Sequence, residues 1–360
     1  MNIRSSGASR RVVAIKRFIL PLVAFSCLHA AEIVIHTVGD VMPGAGNPSA
    51  VPLDLFDLIP QLQGADLLFA NFEGTVSDDP SLARPCKGRP GTCFRFVMPT
   101  DAVRLLARTG FDVVNIGNNH AGDAGPGSIP RTIQAIEANS RVCVTGVQER
   151  QTCLVTSKAG VRIAVTGFSP HEGSTQAARA SVVETVRAAK KAAQIVVVSF
   201  HIGAEGLSAQ HVTRREEWFL GDSRGNVYDL AHAAIDAGAD VVVGHGPHCL
   251  RALELYKGRL IVYSMGNFAT NGSFSLDGNL RYGALFQIRL SEDGALKRCR
   301  IVSTVQSRIA MPPRIITPAI DPDGHAYQLI RQLTLEDFPG GHLRFVGADE
   351  VEPAATGAGV

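Results

Sequence analysis

The chain has 360 residues, 45% of them apolar, and a formal net charge of +2. That is long and apolar enough for one large domain or two small ones, and it excludes a coiled coil or a disordered chain. Arg4, Arg10, Arg11, Lys16 and Arg17 fall in the first 30 residues, where no acidic residue stands, so the remainder carries −3 and holds no nucleic-acid footprint.

The first segment, "RRVVAIKR" followed by "FILPLVAFSCLHA", has the basic region, short apolar run and small-residue end of a secretory signal peptide. The cut is expected near Ala30 or Ala31, and the run is too short to favour a spanning helix. An uncleaved N-terminal anchor is the alternative, and it would be the chain's one tie to a membrane. Residues 1–31 are therefore read as signal peptide or anchor, and the protein as exported to the periplasm or cell envelope. Residues 32–310 form the main domain. Residues 311–360 form a C-terminal extension whose last ten residues look disordered. Without Cys27, six cysteines enter an oxidising compartment, where Cys86 with Cys93 and Cys143 with Cys153 are candidate disulfides and buried free thiols are the alternative.

Along the main domain, "EIVIHTVGD" reads as a strand, "LDLFDLIPQL" has helical spacing, and "ADLLFANFEG" is a second strand. "PTDAVRLLARTG" is a helix with Thr100 as N-cap and Gly110 as its stop. "FDVVNIGNNHAGDAG" is a strand with a polar end, "GPGSIPRTIQAIEAN" is helical, and "GVRIAVTGFS" is a strand. "ASVVETVRAAKKAA" is an amphipathic helix, "QIVVVSFHIGAE" a strand, and "NVYDLAHAAIDAG" a helix leading into "GADVVVGHGPHCL". Then "RALELY", "RLIVYSMGNF", "YGALFQIRLS" and "KRCRIVSTVQ" alternate like antiparallel strands, and "HAYQLIRQLTLEDF" is a last helix. Strands alternating with helices give a layered α/β fold.

Five of these strands end in polar clusters: Asp40; Asn71 with Glu73; Asn118, Asn119 and His120; His201 with Glu205; and His245 with His248. The carboxyl ends of strands are where α/β sheets bind ligands. One such histidine is ordinarily a hydrogen-bonded structural residue, but five ends bearing carboxylate, amide and imidazole together suit a divalent Zn, Mn or Fe ion. No cysteine stands among them, which argues against a thiolate structural zinc site. Two ions would use most of the set, lower the pKa of a shared water and hold a phosphoryl or acyl oxygen. Asp123 is placed to hold His120 in one tautomer. Glu205 is a candidate partner for a histidine. Asn71, Glu205, Arg95 and Arg251 are candidate substrate contacts, the two arginines for an anion. Asn118 reads as structural, and His36, His171, His211, His232, His325 and His342 as ordinary histidines. "GAGNP" (44–48) is too short for a dinucleotide fingerprint.

The motifs "VGDVMPG", "ANFEG", "NIGNNHAGDAG", "VVSFHIGAE" and "IDAGADVVVGHGPHCLRALELYKGRLIVYSMGNF" resemble, in order, those of the bacterial capsule-synthesis CapA family. That family is linked to poly-γ-glutamate and belongs to the calcineurin-like metallophosphatase superfamily. The resemblance runs from about Ile33 to Gln306. It implies a four-layer α/β/β/α sandwich with a two-metal site at the strand ends. Asp40, Glu73 as the bridging carboxylate, Asn119, His201, His245 and His248 match the metal ligands, and His120 the adjacent outer acid. Two positions depart from the superfamily pattern. Met42 stands where a histidine is usual, and Glu73 replaces an aspartate. Leu207 to Gly225 looks like an insertion, with Trp218 as part of a substrate rim. The resemblance implies metal-bound hydroxide attacking a phosphoester or amide of an envelope polymer such as poly-γ-glutamate. The alternative is a non-catalytic assembly or export factor beside membrane synthase subunits, which the loss of a histidine at Met42 favours.

Overall fold

The computed structural model describes residues 32–45, 51–82, 94–169, 175–270, 274–308 and 316–355. The N-terminal segment 1–31, the Cys86 and Cys93 pair, and His171 lie outside the described residues.

Two large sheets carry the fold. The first has ten strands, running Leu343–Val346, Glu350–Pro353, Leu296–Arg308, Tyr282–Leu290, Ile33–Val41, Leu67–Phe72, Val113–Asn115 and Cys143–Thr145, with Asn267–Ala269 and Ile316–Ile320 added at its sides. The second has six, running Leu253–Tyr256, Arg259–Val262, Val241–His245, Ile195–His201, Arg162–Phe168 and Thr152–Thr156.

Period-two alternation sorts side chains into three cores. Leu67 and Phe69 from the first sheet meet Ile195 and Val197 from the second in one core, so the sheets pack face to face. The intervening residues face outward. Leu68 and Ala70 pack with Ala102 and Leu106 of α1 (Thr100–Thr109) and Ile133 of α2 (Ser128–Asn139). Val196 and Val198 pack with Val182 and Val186 of α3 (Thr175–Ala192) and Leu230 of α4 (Val227–Ala237). The layer order is α/β/β/α, as the motifs imply.

Three local expectations change. "LDLFDLIPQL" forms turns and a 3-10 helix at Pro60–Leu62 rather than an α-helix. Pro60 has no amide proton to donate and drives Ile59 out of the α region, to φ −124°. Thr100 begins α1 instead of capping it, and the Asp78 carboxylate accepts from both its amide and its hydroxyl at 2.7 Å. "RLIVYSMGNF" is two strands in two sheets, not one antiparallel strand. Arg259–Val262 runs parallel to Val241–His245, and Asn267–Ala269 runs parallel to the end of Ile33–Val41. Gly266, at φ 65°, turns the chain across the gap. A Cβ on Gly39 would stand 2.1 Å from the Gly266 carbonyl oxygen, so this crossing needs a bare backbone beneath it.

Past residue 315 the chain continues the sandwich. Ile316–Ile320 and Glu350–Pro353 both pair with Leu296–Arg308, Val351 is buried, and Ala326 and Ile330 of α5 (His325–Asp337) enter the inter-sheet core. Composition alone leaves 351–353 without structure; pairing to a neighbouring strand supplies it. Cys143 and Cys153 are joined by a disulfide, while Cys249 and Cys299 are buried free thiols.

Candidate metal centre

The parallel strands of both sheets end on the same side of the molecule. Asp40 lies at the end of its strand in register with Asn71, and His201 is in register with His245 across the second sheet. The turn after His245 brings His248 back. Gly246 has φ 101°, and a Cβ there would stand 3.2 Å from the His201 ring. His248 itself sits at φ 56°, a left-handed conformation that costs energy for a residue with a Cβ. Pro247 fixes the backbone between them.

Glu73 is the centre of convergence. Its Oε1 lies 3.5 Å from His248 Nε2, 3.7 Å from His201 Nε2 and 3.9 Å from His120 Nε2. Asp40 Oδ1 is 3.2 Å from His245 Nδ1, and Asp40 Oδ2 is 3.3 Å from His248 Nδ1. Donor atoms of Asp40, Glu73 and His201 all fall within 4.8 Å of one another. Metal–ligand bonds of about 2.0–2.2 Å separate neighbouring ligand atoms by about 3–3.6 Å, so these spacings suit a shared cation.

Amide side chains set the orientations. Asn71 Nδ2 donates to Asp40 Oδ1 at 2.8 Å and lies 3.0 Å from His201 Nδ1. His201 Nε2 lies 2.9 Å from Asn119 Oδ1, so the two ring nitrogens are held between the two asparagines. Asp123 accepts from His120 Nδ1 at 2.7 Å and from the Phe96 amide at 2.7 Å, an arrangement that holds His120 with Nε2 toward Glu73.

The donor set fits a cation. Both carboxylate oxygens of Glu73 are buried without a hydrogen-bond partner, as are both ring nitrogens of His245, whose close approach to Asp40 lacks hydrogen-bond alignment. Burying such groups unsatisfied is costly, and an ion would complete their coordination. Burial pushes the Glu73 carboxyl well above its ordinary pKa, with the negative charges of Asp40, Glu205 and Asp123 adding to it and the His248 charge opposing. Burial also works against charge on Asp40, but its contacts with His245 and His248 hold its pKa well below the usual carboxylate range. For His248 the charges of Glu73 and Asp40 outweigh burial, and its pKa is held up at about 10.

The remaining expected residues separate. Asn71 is fully buried and orients Asp40 and His201 instead of facing a substrate. Arg251 is also fully buried. Two of its guanidinium nitrogens are taken up by both Glu217 oxygens, at 3.0 and 2.7 Å, and by the Ala204 carbonyl, and Nε is buried, so no exposed donor is left for a substrate anion. Arg95 is exposed and does not line the cavity in front of the cluster. Glu205 does line it, paired to Arg224 at 3.0 Å. Asn118 is structural, donating to the Phe72 carbonyl and accepting from the His120 amide. Met42 is fully buried in the core beneath the first sheet.

Two residues escaped the sequence reading. Asn267 is buried with Oδ1 2.9 Å from His248 Nδ1. Asn115 Nδ2 donates to Asn71 Oδ1 at 3.2 Å. Asn115 ends an apolar strand, the same signal that marks the others, whereas Asn267 begins its strand.

A family model described as bacterial capsule synthesis protein PGA_cap matches residues 34–272. The PGA biosynthesis protein CapA of Bacillus subtilis (strain 168) is 28% identical over 278 residues, covering 71% of this chain and 67% of that protein. The capsule biosynthesis protein CapA of Bacillus anthracis is 26% identical over 334 residues, covering 86% of this chain and 74% of its own. A probable polyglutamine synthesis accessory protein of Mycobacterium tuberculosis (strain CDC 1551 / Oshkosh) is 26% identical over 228 residues, covering 56% of this chain and 55% of its own.

Proposed function

The chain belongs to the bacterial capsule synthesis protein family PGA_cap, and from that premise we propose that it is an exported, metal-dependent hydrolase that processes an envelope polymer. A function tied to capsule or poly-γ-glutamate synthesis follows from the family and its CapA relatives. The finer reading is cleavage of a phosphoester or amide bond by a centre of Asp40, Glu73, Asn119, His201, His245 and His248, holding two ions of Mn, Zn or Fe. The observation that carries it is Glu73, whose two buried oxygens have no hydrogen-bond partner while one of them, Oε1, faces three imidazoles.

A divalent cation here would supply an activated water and polarise the scissile bond. The protein's own groups do the rest. Asp40 and Glu73 provide the negative charge that holds cations, and Asn71 fixes the Asp40 and His201 orientations. His120, tied to Asp123 and lining the cavity, is placed to hand a proton to a leaving group.

A second reading, an assembly factor beside membrane synthase subunits, is favoured by Met42, which offers the centre no imidazole where the superfamily has one. Metal content separates the two. Purified wild type is compared with Asp40→Ala and His245→Ala, and each is assayed on a phosphodiester and on poly-γ-glutamate. About two metals per chain, lost with activity in both variants, supports the hydrolase. No metal in any sample after incubation with Mn or Zn rejects it in favour of the assembly factor.

A further inference from the structure

In front of the ligand cluster lies a cavity of about 340 Å³ walled by Phe94, Phe96, Phe219 and Phe274. His120 and His248 form its floor. Phe96 lies on the His120 ring at 3.9 Å between centroids, and Phe274 meets Phe96 at 5.1 Å and the His248 ring edge-on at 5.1 Å. The aromatic wall is thus continuous with the two imidazoles that face it. Among the described residues no lysine or arginine lines this space, and the one charged residue besides the histidines is the acid Glu205. Arg224, which pairs with Glu205, lies with its guanidinium 5.4 Å from the centre of the Phe219 ring. Its charge is spent on those two neighbours.

A carboxylate entering this space would lose water and approach Glu205, and the one positive group on the floor, His248, is already paired to Asp40 and Glu73. An apolar group would cover phenylalanine surface that otherwise stays wet. We infer that the cavity is a specificity pocket for a neutral aromatic or branched aliphatic group of the substrate, lying beside the bond presented to the cluster. The inference rests on the hydrolase reading of that cluster and narrows it. A polymer with a free carboxylate on every residue does not fill this pocket with its side groups, so the bond acted on has an apolar neighbour.

Binding to the full exported protein after treatment with EDTA tests the pocket without the metal. Calorimetry or NMR titration with N-acetyl-phenylalanine amide is compared with N-acetyl-alanine amide and N-acetyl-glutamate. The aromatic probe is expected to bind at least about tenfold more tightly than either, a difference of about 1.4 kcal/mol. Phe274→Ala and Phe219→Ala should each remove most of that preference, while Phe274→Leu keeps it, with thermal unfolding confirming that each variant is folded. Equal binding of the three probes, no binding of the aromatic one, or a preference unmoved by both alanine variants overturns the inference. Metal uptake, measured separately on the same samples before EDTA, reports on the hydrolase reading independently.

Discussion

Glu73 and His248 face one another across the candidate metal centre, Oε1 to Nε2, at 3.5 Å, and neither carboxylate oxygen of Glu73 has a hydrogen-bond partner. A buried acid in that state is a poor stabiliser of the empty fold and a good ligand. Glu73→Gln should therefore leave the metal-free protein at least as stable as wild type while abolishing stabilisation by metal. With cation at about 100 times its Kd, wild type should gain about 2.7 kcal/mol, and the variant close to none. Thermal unfolding with EDTA and with Mn or Zn checks both halves. A variant that gains as much as wild type would remove Glu73 from the ligand set.

Asn71 acts on the centre through Asp40 and His201, with one Nδ2 serving both. Partners that orient a ligand are worth about 10–100-fold in metal affinity. Asn71→Ala should weaken metal binding by that factor and leave the metal-free fold destabilised by about 1–3 kcal/mol, because the buried Asp40 Oδ1 then loses a donor and Asn115 one of its acceptors. Metal titration against a competing chelator reads the first effect and denaturant unfolding the second. A substrate contact would instead raise KM at unchanged metal affinity.

The strand ends bearing Asp40, Glu73, His201 and His245 were legible because each is an apolar run that stops at a polar group, and burial on both faces demands such runs. Asn267 was not. Its strand is continuous in sequence with Arg259–Val262, and only the crossing at Gly266 assigns the two halves to different sheets and sets Asn267 beside His248. A layered α/β fold was legible from alternating strands and helices, and its α/β/β/α order from the resemblance of the motifs. The failed helix at 53–62 has helical apolar spacing, and its Leu55, Phe56, Ile59 and Leu62 are buried, but Pro60 decides the backbone.

Arg251 shows the limit of reading charge from sequence. It stands three residues after His248 and invites an anion-binding role, yet Glu217, 34 residues upstream, takes its guanidinium inside the protein. The same pair anchors the 207–225 segment, because Glu217 also accepts from the Ala204 amide and the Thr213 hydroxyl. Arg251→Met should cost about 3–5 kcal/mol by leaving Glu217 charged and buried, and Arg251→Met with Glu217→Leu should recover part of that loss. Denaturant unfolding of the two variants checks this. A folded Arg251→Met protein of wild-type stability would reopen the anion-binding role.

His36 lies away from the centre, on the strand that carries Asp40, with Nδ1 3.0 Å from the Leu62 carbonyl. Burial lowers its pKa, opposed by that hydrogen bond and helped by the charge of Arg289. A depressed histidine means that the folded protein refuses a proton which the unfolded chain accepts. Its contribution to stability is thus complete above about pH 6.5 and declines as the pH falls through the lower folded value. His36→Gln keeps a donor for the Leu62 carbonyl and has nothing to protonate. Between pH 7 and pH 5 the unfolding free energy of wild type should fall more steeply than that of the variant, and the two curves should run parallel above pH 7. Parallel curves across the whole range would mean that His36 takes its proton as readily folded as unfolded.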